Sequence, residues 1–98
     1  MYARVIQFPL KSESIPDAIN YFRDSVGPAL KELDGFKNSR MLTNPVDNKG
    51  LMVTIWESEA ARQAAESSGF LQDILKHMSN YFAGAPTVDY YEVSVQIV

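Results

Sequence analysis

One tryptophan and one histidine stand out among the residues whose types suit chemistry. Trp56 closes the apolar run Leu51-Met52-Val53-Thr54-Ile55-Trp56, and Glu57-Ser58 and an alanine-rich stretch follow at once. An indole there either pins a strand to the next helix, with its N–H bonded to a partner, or walls a ligand cleft; the two roles are compatible. His77 falls on a line with Phe70, Ile74 and Tyr81. An imidazole titrates near neutrality, so His77 is a candidate general base, or else a partly buried residue bonded to a carbonyl or carboxylate. Arg4 and Gln7 are polar positions in a segment that is apolar on both faces. A buried polar group needs a partner, so one of them faces a pocket, or Arg4 pairs across the sheet with a carboxylate such as Glu92. Tyr21, Tyr81, Tyr90 and Tyr91 either line an aromatic-binding cavity or pack at the sheet and a subunit interface.

Other chemistries find no support. The chain has no cysteine, which removes thiol nucleophiles, disulfides and cysteine metal sites and fits a cytoplasmic protein. Asp47-Asn48 before Lys49-Gly50 is turn chemistry, since a divalent cation wants more oxygen ligands, and no metal site is expected. Glu57, Glu59 and Glu66 read as helix-start and solvent-facing charge. No phosphate loop, hydrolase elbow or zinc spacing is present. Nine Lys and Arg against twelve Asp and Glu give a net charge of −3, and the basic residues are scattered, so no nucleic-acid surface is expected. No apolar stretch approaches a membrane span, and the N-terminus enters a strand pattern without a signal peptide.

The elements that must position these residues follow from hydrophobic period. Residues 2–8 alternate, with Tyr2, Arg4, Ile6 and Phe8 on one face and Ala3, Val5 and Gln7 on the other, and Pro9 ends the strand. Ser14 is positioned to cap a helix whose stripe runs Ile15, Ala18, Ile19, Phe22, Val26, Leu30, Leu33, with a kink or break at Gly27-Pro28 and Gly35 just past its end. Residues 36–43 form a second strand, and residues 44–50 a turn into the third. Ser58 caps a second helix, interrupted at Ser67-Ser68-Gly69 and resumed through Phe82. Residues 87–98 form a long last strand.

The order β-α-β-β-α-β predicts one α+β domain, residues 1–98, of ferredoxin-like type: a four-stranded antiparallel sheet with two helices on one face. The uncovered face is too apolar for solvent, which predicts a homodimer joined through sheet faces.

Residues 28–36, the turn after Leu42, and above all Thr54-Ile55-Trp56-Glu57-Ser58-Glu59-Ala60 resemble the antibiotic biosynthesis monooxygenase-like domains of the dimeric α/β-barrel superfamily. The resemblance covers nearly the whole chain. It implies a cofactor-independent monooxygenase that oxidises a small aromatic or quinol with dioxygen, using neither metal nor flavin. The deprotonated substrate passes an electron to dioxygen while the protein positions the ring and stabilises the anion. In the best-known members the tryptophan is accompanied by an asparagine and a tyrosine; those positions here hold Met52 and Arg62, so Trp56 alone carries over. A haem-degrading branch implies a strand-one asparagine near Gln7 and a helical histidine near Ile74 or Leu75, from which His77 is displaced by two or three residues.

The expected site is therefore Trp56 and His77 as catalytic residues, with Gln7, Arg4, Met52 and Tyr81 lining the ligand pocket. Three functions compete: an oxygenase, a non-catalytic small-ligand-binding or stress-response protein, and a structural protein. A pocket touching Trp56 and His77 together favours the first, an apolar pocket without His77 the second, and no pocket the third.

Overall fold

Alternation in the first strand left open which face meets the helices, and burial decides it. In the computed structural model, which describes residues 1–98, strand β1 (Tyr2–Pro9) buries Arg4, Ile6 and Phe8. The other strands are β2 (Phe36–Asn44), β3 (Lys49–Trp56) and β4 (Thr87–Glu92), in the order β2-β3-β1-β4, all neighbours antiparallel. Ladder rows show which residues share a face. Met41, Met52, Ile6 and Val88 form one row, and Ser39, Thr54, Arg4 and Tyr90 the next, both on the helix side. The row Arg40, Val53, Val5, Asp89 lies on the opposite, open side. Lys37 is an extra residue that shifts the β2–β3 register, so Phe36 faces Trp56.

The helix layer follows the expected pattern with instructive departures. The first helix is α1 (Ile15–Tyr21), a π-helical turn (Phe22–Val26) and α2 (Gly27–Lys31). Pro28 has no N–H to give to the carbonyl four residues back, and its ring crowds that carbonyl. The turn before it widens, and Gly27 N–H bonds Phe22 C=O instead. Ser14 makes no side-chain cap, because a 3₁₀ turn (Ser12–Ser14) already carries the chain into the helix and ties Ser14 N–H to Lys11 C=O. The second helix is α3 (Glu59–Ser67), where Ser58 Oγ accepts from Ala61 N–H at 3.1 Å, followed by α4 (Phe70–Met78). Between them Gly69 sits at φ 88°, which only glycine adopts cheaply. Gly35, at φ 79°, closes the first helix, and a Cβ there would lie 2.5 Å from Ala61 Cβ.

Two expected boundaries move. Helix α4 stops at Met78, not at Phe82, because Ser79 Oγ donates to Lys76 C=O and Asn80 Nδ2 to His77 C=O, competing with helix continuation. Phe82 instead bridges Leu10 and stacks on Phe8, ring centroids 4.7 Å apart. Strand β4 ends at Glu92, not Val98, since its partner β1 begins at Tyr2; the last bond runs from Val93 N–H to Met1 C=O. Beyond it, Val95 and Ile97 are exposed.

The core lies between the sheet and the helices, with Ile6, Leu30, Met78 and Trp56 among its most buried side chains. The architecture is α+β and ferredoxin-like, as expected. No helix is long and apolar enough to cross a membrane.

Candidate functional site

A small, nearly enclosed cavity, of about 10 Å³, sits between the helices and the central strands, room for about one water. Arg4, Ile6, Met52 and Thr54 form its sheet side; Phe22, Val26, Leu30, Leu71 and Ile74 form its helix side. Of the six residues expected at the site, Arg4 and Met52 meet here. Trp56 does not line the cavity but lies behind Arg4, whose guanidinium carbon is 5.7 Å from the centre of its ring. Trp56 is fully buried and meets Phe36 edge to face at 5.9 Å. Its indole N–H has no partner, contrary to the hydrogen bond expected of a core tryptophan.

Arg4 is the unusual member. It is only 3% exposed, and its Nε and Nη1 make no hydrogen bond. Its ion-pair partner is not Glu92 but Glu66, whose Oε2 lies 3.5 Å from Nη1. Glu92 pairs in the ladder with Tyr2, one row away, whereas α3 brings Glu66 over the Arg4–Tyr90 row. Glu66 is therefore no solvent-facing charge. Tyr90 Oη donates to its Oε1 at 2.6 Å and Arg62 Nη1 to its Oε2 at 3.3 Å. Arg62 lies over the Tyr90 ring at 4.1 Å.

Burial lowers the Arg4 pKa, with the Glu66 charge pulling the other way. A depressed pKa on a cation means that the fold bears a cost for keeping it charged at neutral pH. Tyr90 is pushed above the usual phenol range by burial and by its bond to Glu66.

His77 and Tyr81 form a separate cluster. His77 is on the exposed side of α4, its Nε2 2.9 Å from Tyr81 Oη and its ring stacked on Tyr21 at 3.8 Å. Burial, then the charges of Tyr81 and Asp73, raise the Tyr21 pKa. Neither His77 nor Tyr81 lines the cavity. Gln7 points to the open face and is exposed. No three His, Asp or Glu side chains converge as metal ligands would. Sequence reasoning missed Thr54, Phe22 and Glu66; only the helical stripe through Phe22 gave a signal.

The fold has known company. A structure from Nitrosomonas europaea, the NE2512 protein of unknown function, superposes with a TM-score of 0.80 at 13% identity, covering 99% of this chain and 92% of that one. The ActVA-Orf6 monooxygenase of Streptomyces coelicolor, solved with nanaomycin D, gives 0.77 at 19% identity, covering 99% and 90%. SnoaB of Streptomyces nogalater, a cofactor-independent oxygenase, gives 0.75 at 13% identity, covering 98% and 95%. The chain has the antibiotic biosynthesis monooxygenase-like fold. At these identities the likeness speaks of architecture, not of reaction. No family model matches the sequence. Among curated proteins, the uncharacterized Rv2557 of Mycobacterium tuberculosis is 28% identical over 94 residues, 96% of this chain and 41% of the relative. Rv2558 of the same organism is 28% identical over 96 residues, 97% and 39%. The chain thus spans about two-fifths of the length of these relatives.

Proposed function

We propose that the protein binds a small electron-rich aromatic, a phenol or hydroquinone, in a site that opens out from the one-water cavity at Arg4, near Trp56, and oxidises it with dioxygen without a metal or flavin. The observation that carries this reading is Arg4: a buried guanidinium whose Nε and Nη1 make no hydrogen bond, Nη1 having only the 3.5 Å ion pair with Glu66, in the wall of a cavity that is apolar but for Arg4 and Thr54. A phenol oxygen placed against those donors ionises more readily, because a neighbouring cation favours the phenolate, and its proton goes to solvent water before the ring is enclosed. The phenolate in turn offsets the cost of the buried charge. Phenolates give an electron to dioxygen far more readily than phenols do, so holding the anion is the catalytic contribution asked of the protein. The apolar walls, Ile6, Met52, Leu30 and Ile74, orient the ring. The oxygenases that share the fold support the reading.

Oxygen uptake with a panel of hydroquinones and dihydroxynaphthalenes tests it. Uptake should fall roughly 100-fold in Arg4→Met, the usual effect of removing an anion-holding donor. Trp56→Phe should slow it less, and His77→Ala should leave it within about twofold, since no proton has to pass through an exposed residue. Absence of uptake with every substrate would sink the enzyme. The cavity contains no titratable base and lacks His77, which favours a second reading, a non-catalytic small-ligand-binding protein. That reading predicts saturable binding with no uptake.

The same proposal includes a homodimer. The open sheet face carries Val5, Leu51, Val53 and Ile55 at its centre, and a groove of about 560 Å³ separates β2 and β3 from the standing-off residues 93–98. The row Arg40, Val53, Val5, Asp89 is positive at one edge, apolar in the middle and negative at the other. A two-fold axis along the strands sets Arg40 of one copy over the partner's Asp89, so the face is complementary to itself.

A further inference from the structure

The cavity is nearly enclosed and holds about one water, so a ligand as large as a phenol needs a wall that moves both to admit it and to make room for its ring. One wall separates it from an open groove of about 410 Å³ between α1 and β2, and the two spaces share a single residue, Phe22. The rest of that wall is two cross-strand pairs, each with one member in the groove and one in the cavity. Met41 faces Met52, and the hydroxyls of Ser39 and Thr54 share a hydrogen bond of 2.8 Å. Phe22 opens the π-helical turn forced by Pro28, a place where the helix is already out of regular register. The methionines beside it are unbranched and repack at small cost.

We propose that Phe22 is the door of the cavity and sets the size of what enters: a flat ligand of one or two fused rings passes from the α1–β2 groove when the Phe22 ring swings aside. The inference rests on the cavity being the ligand site. The width of the opening is then set by residue 22 and by the Met41–Met52 pair, and Arg4 stands at the inner end with no hydrogen bond on Nε or Nη1.

Trp56, the one tryptophan, reports access without any ligand. Acrylamide quenching of its fluorescence should rise about threefold or more in Phe22→Ala, because the groove and cavity merge. Leu75→Ala trims a partly buried side chain of the same helix layer that lines neither the groove nor the cavity, and should leave quenching close to wild type. Phe22→Leu, a milder change that keeps the core filled, should fall between. Stopped-flow binding of para-nitrophenol should show the association rate rising roughly tenfold in Phe22→Ala, with the rate in Leu75→Ala unchanged. Equal quenching and equal association rates in wild type, Phe22→Ala and Phe22→Leu would overturn the door while leaving the cavity as the site. Enhanced quenching in Phe22→Ala with no phenol binding to any variant would keep the door and overturn the ligand reading.

Discussion

Glu66→Ala lowers the stability of the protein by about 3 kcal/mol, because it leaves the Arg4 charge buried without its partner. Urea titration measures this directly, and for a domain of this size the Tm should drop by more than about 10 °C. The opposite deletion is far milder. In Arg4→Met, Glu66 keeps Tyr90 and Arg62 as donors, and the methionine fills the apolar wall. Its cost should stay under about 1 kcal/mol. This asymmetry separates a residue kept for structure from one kept for a ligand: Glu66 holds α3 to the sheet, whereas the fold does not need Arg4 to be charged. Equal losses in the two variants would contradict that division. The network also has a pH signature. Tyr90 titrates higher in the fold than in the unfolded chain. Its contribution is therefore fully present below the ordinary phenol range and is lost as pH rises through the folded value. Tyr90→Phe should remove that part of the alkaline destabilisation.

Val53→Lys should convert the proposed dimer to monomer. Val53 lies on an inner strand of the open face, and the axis that sets Arg40 over Asp89 places each introduced ammonium against Val5 of the partner subunit, in an apolar interface. An unpaired ammonium buried against an apolar surface costs several kcal/mol, so the dissociation constant should rise by roughly 100-fold or more. Sedimentation of wild type at micromolar concentration should give twice the protomer mass, and the variant the protomer mass. Arg40→Asp should weaken the dimer, and Arg40→Asp combined with Asp89→Arg should restore it, because the swap preserves the pairing of opposite edges. Failure of the double variant to recover would exclude the axis along the strands while leaving the interface itself.

The strands and helices were legible because period-two alternation and 3.6-residue stripes are local signals. The break at Gly27-Pro28 and the interruption at Ser68-Gly69 were legible for the same reason. Where β4 ends was not, since residues 93–98 continue the alternation and only the start of β1 stops the pairing. The sheet face was ambiguous because β1 carries apolar side chains on both sides, and the Arg4–Glu66 pair depends on how α3 crosses the sheet, which no short-range pattern encodes. His77 and Tyr81 were legible as helical neighbours, but their distance from the cavity was not. The helix restarts at Phe70 and so resets which side of it faces the core. Phe22 was visible as a core residue, yet its place between cavity and groove depends on β2 lying beside the widened turn.

The central claim is that Arg4 holds a phenol oxygen as its anion. The most direct measurement is the absorbance titration of para-nitrophenol bound to the protein, followed through its phenolate band. The account predicts that binding lowers the phenol pKa by at least about one unit and that Arg4→Met abolishes the shift. A bound phenol that titrates at or above its free value, or an equal shift in Arg4→Met, would contradict it.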